Sequence, residues 1–276
     1  MALNSVNTNS GALIALQNLN VTNESLITTQ NRVNTGMKVA SAKDNGAIWA
    51  IAQNQRSIIS SLDAVKDSLQ RGQSIVDVAV SAGETVSDLL SQMKAKALAA
   101  KDQTLDTASR TALNEDFKSL RDQIVKVVAN ADFNGANMLK GGGTTVKALA
   151  NATGTATLTV LAQNMTLGGA ILTLAATASF NTATTASTQL GIVNTSLTNV
   201  SAAVSKLGTG SNSLKTHLNF TMKLQDTMVT GVGNLVDADI AKESATLQAL
   251  QTKQQLGVQA LSIANGATSV LLSLFR

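Results

Sequence analysis

"IWAIAQNQRSIISSLDAVKDSLQRGQSIVDVAVSAGETVSDLLSQMKAKALAA" (48–100) carries one pattern for its whole length. Ile48, Ile51, Gln55, Ile58, Leu62, Val65, Leu69, Gly72, Val76, Ala79, Gly83, Val86, Leu90, Met93, Ala97 and Ala100 follow one another in alternating steps of three and four. Alternation kept up over so many heptads is coiled-coil periodicity. At 1.5 Å per residue it predicts a helix about 80 Å long.

Further seams lie on either side. Leu113, Phe117, Leu120, Ile124 and Val127 predict a second helix, ending where Asn134-Gly135 reads as a turn and Gly141 to Gly143 as an exit. Leu190, Val193, Leu197, Val200, Val204, Leu207, Leu214 and Leu218 predict a third. Long helices far apart in sequence are expected to pack antiparallel, with Ile51, Ile58, Leu62, Val65, Val76, Leu90, Leu120, Ile124, Leu197, Val204 and Leu214 as core. The fold class is therefore mainly α: a long antiparallel, coiled-coil-like bundle formed by N- and C-terminal segments.

Composition agrees. The 276 residues include no proline, which inside a helix costs roughly 3 kcal/mol. Aromatics make up 2%, so packing rests on aliphatic side chains. Between Lys147 and Lys206 no residue is charged. Within that span "TATLTVL" (155–161) and "ILTLAAT" (171–177) mix Thr with apolar residues, predicting one or two short β-hairpins in a Thr-rich insertion at 144–187.

The two ends resemble each other. Leu13, Leu16, Leu19, Leu26 and Val33 lie on one terminal helix, and Leu247, Leu250, Leu261, Leu271 and Phe275 on the other. Their polar positions are mostly Ser, Thr, Asn and Gln. Such weakly charged helices gain their stability from packing rather than propensity. Each is expected to await the other and its neighbours. Between the first of them and the long helix, residues 36–46 read as a hinge. There Gly36 and Gly46 give conformational freedom, while Ser41, Lys43 and Asp44 sit in a segment offering local hydrogen bonds and an N-cap.

Several functions are excluded by chemistry. Cysteine is absent, so there are no disulfides, thiolate metal sites or cysteine nucleophiles. His217 is the lone histidine, and no Ser/His/acid set accompanies it. Gly141 to Gly143 lack the Lys-Ser/Thr of a phosphate loop. No catalytic residue, cofactor or metal is expected. The net charge of +4 is scattered rather than clustered, which argues against nucleic acid. The most apolar window, 158–180, is broken by Gln, Asn and a Gly pair, which argues against membrane insertion. The N-terminus has neither the basic start nor the apolar run of a cleavable signal peptide.

"RVNTGMKVASAKDNGA" (32–47) resembles the signature of bacterial flagellins, through Arg32, Gly36, Ser41, Ala42, Lys43 and Asp44. "FNGANML" (133–139) is similar to the family's turn after its second long helix. The end of the chain is similar to the flagellin carboxyl end, through Asp239, Ala241, Glu243, Gln254, Gln255, Ala264 and Asn265. The likeness covers roughly residues 1–143 and 188–276, and is greatest to the short alphaproteobacterial, Caulobacter-type members.

The resemblance implies an inner tube of paired terminal helices (1–35 and 237–276), an outer bundle (47–143 and 188–236) and the insertion outermost. It also implies polymerisation with itself and sibling flagellins, unfolded export through the flagellar type III apparatus, and dealings with an export chaperone, a filament cap and hook-associated proteins. Two alternatives stand beside it: a hook–filament junction protein, which would share both terminal helices, and a secreted coiled-coil effector or signalling bundle, a class expected to carry more surface charge and glutamate-rich seams than this chain has.

Overall fold

The computed structural model describes residues 8–273, with side chains to residue 266. It is 72% helical, with five helices and one small antiparallel sheet. The order is α1 (Ser10–Thr35), α2 (Gly46–Ala100), α3 (Thr107–Asn130), β1 (Val146–Leu149), β2 (Thr157–Val160), α4 (Ala183–Val236) and α5 (Ile240–Ser273). The chain forms two compact units. One comprises Met1–Ser57 with Thr227–Arg276, the other Ile58–Asp226, so the division falls within α2 and α4.

Side chains set the helix starts. Asn9 accepts from the Ala12 amide at the head of α1, Asn45 from Ile48 at α2, and Asp239 from Ala241 and Lys242 at α5. Asp106 accepts from Ala108 and Ser109 at α3, and those donors hold its carboxyl below the usual aspartate value, the Ser109 side-chain bond foremost. Buried Asn137 closes the other end of α3. Its amide donates to the Val128 and Ala129 carbonyls, while its oxygen accepts from the Leu139 and Lys140 amides. The Asn134-Gly135 turn forms as expected, with both residues at positive φ (52° and 81°).

In the unit Ile58–Asp226, α2 and α4 run antiparallel. Ser211 donates to Asp77 at 2.6 Å, and Gln225 to Asp63 at 2.9 Å. Val65, Leu69, Val76, Val86, Leu90 and Met93 from α2 join Val193, Val200, Leu207 and Leu214 from α4 in one core. Helix α3 adds Phe117 and Ile124. Phe117 meets Phe180 edge to face at 5.1 Å.

The Thr-rich insertion is no separate appendage. Val146, Ala148, Val160, Met165, Leu172, Leu174 and Phe180 are buried in the same core. One hairpin is present among the described residues, pairing Val146 with Val160 and Leu149 with Thr157. The "ILTLAAT" stretch does not form a second. The Thr173 amide donates to the Ser196 side chain on α4, so this segment is satisfied by the helix rather than by a partner strand. The last residues given to the insertion, from Ala183 on, are the first turn of α4.

Glycine lets the hairpin lie close. A Cβ at Gly210 would stand 2.6 Å from a Val160 methyl, whereas one at Gly208 would meet nothing within 4 Å. Alanine gains about 1 kcal/mol over glycine inside a helix, while overpacking costs about 1–3 kcal/mol. Gly208→Ala should therefore raise the thermal midpoint and Gly210→Ala lower it, with Val160→Ala restoring the latter. Calorimetry of the three variants checks both signs.

Candidate assembly interface

The first unit is organised by one antiparallel pair, α1 with α5. Polar contacts run along it. The Asn9 amide donates to the Ala264 carbonyl at 2.7 Å, Gln254 donates to Asn23 at 2.7 Å, and Arg32 meets Glu243 at 3.3 Å. Between the first two of these, Leu19 packs where Gly257 leaves room; a Cβ there would come 3.2 Å from a Leu19 methyl. Thr22, buried in the pair, returns its hydroxyl to the Asn18 carbonyl, which is how a polar residue sits within the helix.

Of the residues expected at the inner interface, Leu26 is buried and Leu19, Val33, Leu247, Leu250 and Leu261 are half-buried on the pair's inner side. Leu13 and Leu16 stay exposed. Phe275 lies outside the described residues, as does the side chain of Leu271. The sequence pattern points to a narrow apolar seam on each helix, and further apolar residues stand off that seam. Ile14, Val21 and Ile27 on α1, with Leu256, Val258 and Ile263 on α5, are apolar and face solvent, Ile263 at 69% exposure. The signal for them was present as apolar residues standing off the seam.

The hinge, 36–46, belongs to this unit and folds onto the end of α4 and the link from α4 to α5. The Lys38 and Val39 amides donate to the Val236 carbonyl, and Ala238 donates to Gly36. Gly36 ends α1 at φ +70°, a conformation that favours glycine. Gly46 needs no such freedom, being the first residue of α2. The N-cap of α2 is Asn45 rather than any residue of 41–44. Asp44 looks the other way, accepting from the Ala40 and Ser41 amides and the Ser41 hydroxyl. Lys43 is exposed.

Among residues expected in the bundle core, Leu62, Val65, Val76, Leu90, Leu120, Ile124 and Leu214 are buried, and Ile58, Leu197 and Val204 are half-buried. Ile51 is the exception, at 52% exposure. Ala52, one residue on, is fully buried, so the seam's phase differs by one residue at this end of α2. His217 holds the Ala150 carbonyl through Nε2 at 2.8 Å and stands beside Phe220. No group of three or more metal-ligating side chains occurs among the described residues. None of their helices is long and apolar enough to cross a membrane.

A helix pair with apolar side chains both along its seam and on its exposed faces defines a mainly helical protein with uncovered apolar surface on its paired ends. Comparison with known proteins places it further. Residues 6–144 match the bacterial flagellin N-terminal helical region, and residues 190–275 match the C-terminal helical region. The chain is 61% identical over 276 residues to flagellin FljM of Caulobacter vibrioides, covering all of both chains. It is 37% identical over 281 residues to a flagellin of Brucella melitensis, covering 99% of each. The chain belongs to the bacterial flagellin family.

Two solved structures share its fold. Bacillus cereus flagellin aligns at a TM-score of 0.50 and 22% identity, covering 56% of this chain and 88% of that one. A putative flagellar hook-associated protein from Vibrio parahaemolyticus aligns at 0.58 and 16% identity, covering 70% and 100%.

Ser41 donors stabilise the ionised Asp44, so its carboxyl lies below the ordinary 3.8, the Ser41 amide bond contributing most. A lowered folded value means that this contribution is present above the unfolded pKa and is lost as pH falls through the folded one. Carboxyl-carbon titration of Asp44 should give a midpoint under 3.8. Ser41→Ala should move it upward, and an unchanged midpoint would remove this account of the hinge.

Proposed function

We propose that this chain is the repeating structural subunit of a flagellar filament, polymerising with copies of itself and with sibling flagellins through α1 and α5. The observation that carries this is the apolar surface that the α1–α5 pair leaves facing solvent. Covering one such side chain contributes about 1.5–3 kcal/mol, and a filament repeats the gain at every subunit. A subunit of this kind has a structural role and no catalytic one.

Chemistry supports unfolded export followed by folding at the growing end. A chain without cysteine forms no disulfide in transit, and 14% charged residues give a passage lined by like chains little electrostatic grip. Terminal helices whose stability comes from packing suit a subunit that completes its fold on joining its neighbours. By family likeness, an export chaperone, a filament cap and hook-associated proteins are its further partners. The hook–filament junction reading draws only on the fold shared with the Vibrio protein, whereas full-length identity of 61% joins this chain to a flagellin.

Leu256→Asp and Ile263→Asp should abolish seeded elongation, seen by electron microscopy, while leaving the melting of residues 58–226 unchanged. Deleting residues 247–276 should give a soluble, helical, non-polymerising product. Normal filaments from either would refute the interface. A short polar tag between Thr153 and Gly154, in the exposed hairpin turn, should leave polymerisation intact and bind antibody along the filament. The same tag at Asn20 or Gln254 should block assembly.

A further inference from the structure

Apolar residues lie around both helices of the α1–α5 pair, so apolar burial alone does not say which faces meet or at what axial offset. Leu19, Leu26, Leu247, Leu250 and Leu261 are buried or half-buried, while Ile14, Val21, Leu256 and Ile263 are exposed, Ile14 and Leu256 along the groove between the two helices. A shift of α5 by one heptad, about 10 Å, would still set apolar on apolar at Leu19, with Ala264 or Leu250 replacing Gly257. The polar contacts behave differently. The same shift would bring Leu261 or Leu247 opposite Asn23, and in one direction Leu250 opposite Arg32.

Those mismatches are costly because the groups are partly buried. Glu243 has a side-chain exposure of 15%, and the Arg32 Nε is buried without a hydrogen-bond partner among the described residues. Arg32 keeps 38% of its side chain exposed, so the cost of a slipped register falls mainly on Glu243, the more buried partner, which would lose its charged hydrogen-bond donor. The pair holds few other charges: Glu24 on α1, and Lys242 and Lys253 on α5. Asn9 uses both ends of its amide, capping α1 and holding α5.

Building on the subunit reading above, we infer that Arg32–Glu243 and Asn23–Gln254 are the specificity-determining contacts that set the register of the terminal helix pair. Apolar packing supplies attraction that many registers share, and these two contacts select one. They act by penalising the alternatives, as a single polar position does in a coiled coil.

The chain has no cysteine, so engineered pairs report register without background. A Cβ at position 257 would lie 3.9 Å from that of Leu19, within disulfide range. Leu19→Cys is combined with Gly257→Cys as the native reporter, and with Leu250→Cys or Ala264→Cys as slipped reporters. Full-length filaments are mildly oxidised, and intrachain disulfides are read as cross-linked species of monomer mass. The otherwise unaltered chain should cross-link at 257 and scarcely at 250 or 264.

Replacing Asn23, Gln254, Arg32 and Glu243 together by leucine should lower that preference by about tenfold or more. A second arm uses charge reversal. Arg32→Glu alone should lose the 257 cross-link and lower filament yield, and adding Glu243→Arg should restore both. Leucine-substituted filaments that still cross-link only at 257, or a reversed pair no better than the single change, would overturn the inference. Either result leaves the subunit reading standing. That reading fails instead if the unaltered chain forms no filaments.

Discussion

Everything particular to the first unit follows from helices with more apolar surface than one partner covers. Helix α1 meets α5 along a seam of Leu, Ala, Thr and Gly, and Leu26 is its one buried large aliphatic side chain among the described residues. Isolated helices are held mainly by tertiary packing. A pair with so thin an interior leaves Ile14, Leu256 and Ile263 uncovered, and this is the surface on which the proposed assembly rests. In that proposal the surface driving association is also the surface completing the fold.

The unit Ile58–Asp226 solves the opposite problem. Its core is closed, with Phe117, Phe180, Leu69, Leu90, Met93, Leu172 and Leu174 fully buried. Three glycines, at 72, 83 and 210, admit the hairpin and the Met165 loop against α2 and α4. Close approach replaces the aromatic bulk that the composition lacks. Buried Asn and Ser side chains find partners within the unit: Asn114 receives the Phe180 amide, Asn137 closes α3, and Ser196 takes the Thr173 amide. Gln189 Oε1, by contrast, is buried without a partner among the described residues. The result is a unit with a closed core of its own, although Leu98, Leu161 and Phe220 remain exposed on its surface.

Between α1 and α2, the hinge is held by hydrogen bonds together with the burial of Val39. Gly36 turns the chain, the Val236 carbonyl receives two of its amides, and Asp44 gathers the backbone of residues 40 and 41. The signature residues Gly36, Ser41 and Asp44 thus have physical tasks. Arg32 has another, as the cation that meets α5 through Glu243.

The helices, the family and the lack of cysteine chemistry were legible in the sequence. Three-four periodicity, absent proline and the 32–47 segment are local properties, and local properties survive in a one-dimensional string. The inward positions Leu247, Leu250, Gln254, Gly257, Leu261 and Ala264 were legible for the same reason. What escaped were matters of phase and pairing. Ile51 and Ala52 both suit a seam, and only packing decides which points inward. "ILTLAAT" has the composition of a strand, but the hydrogen bond that a second strand requires was taken by Ser196. The Thr-rich stretch looks like a loose insertion until Val146, Val160 and Phe180 are found inside the core. The amino-acid order determined which segments are helical and that their ends are sticky. The tertiary structure alone decided which faces meet, because many helix faces here are apolar enough to serve, and only partners in space distinguish them.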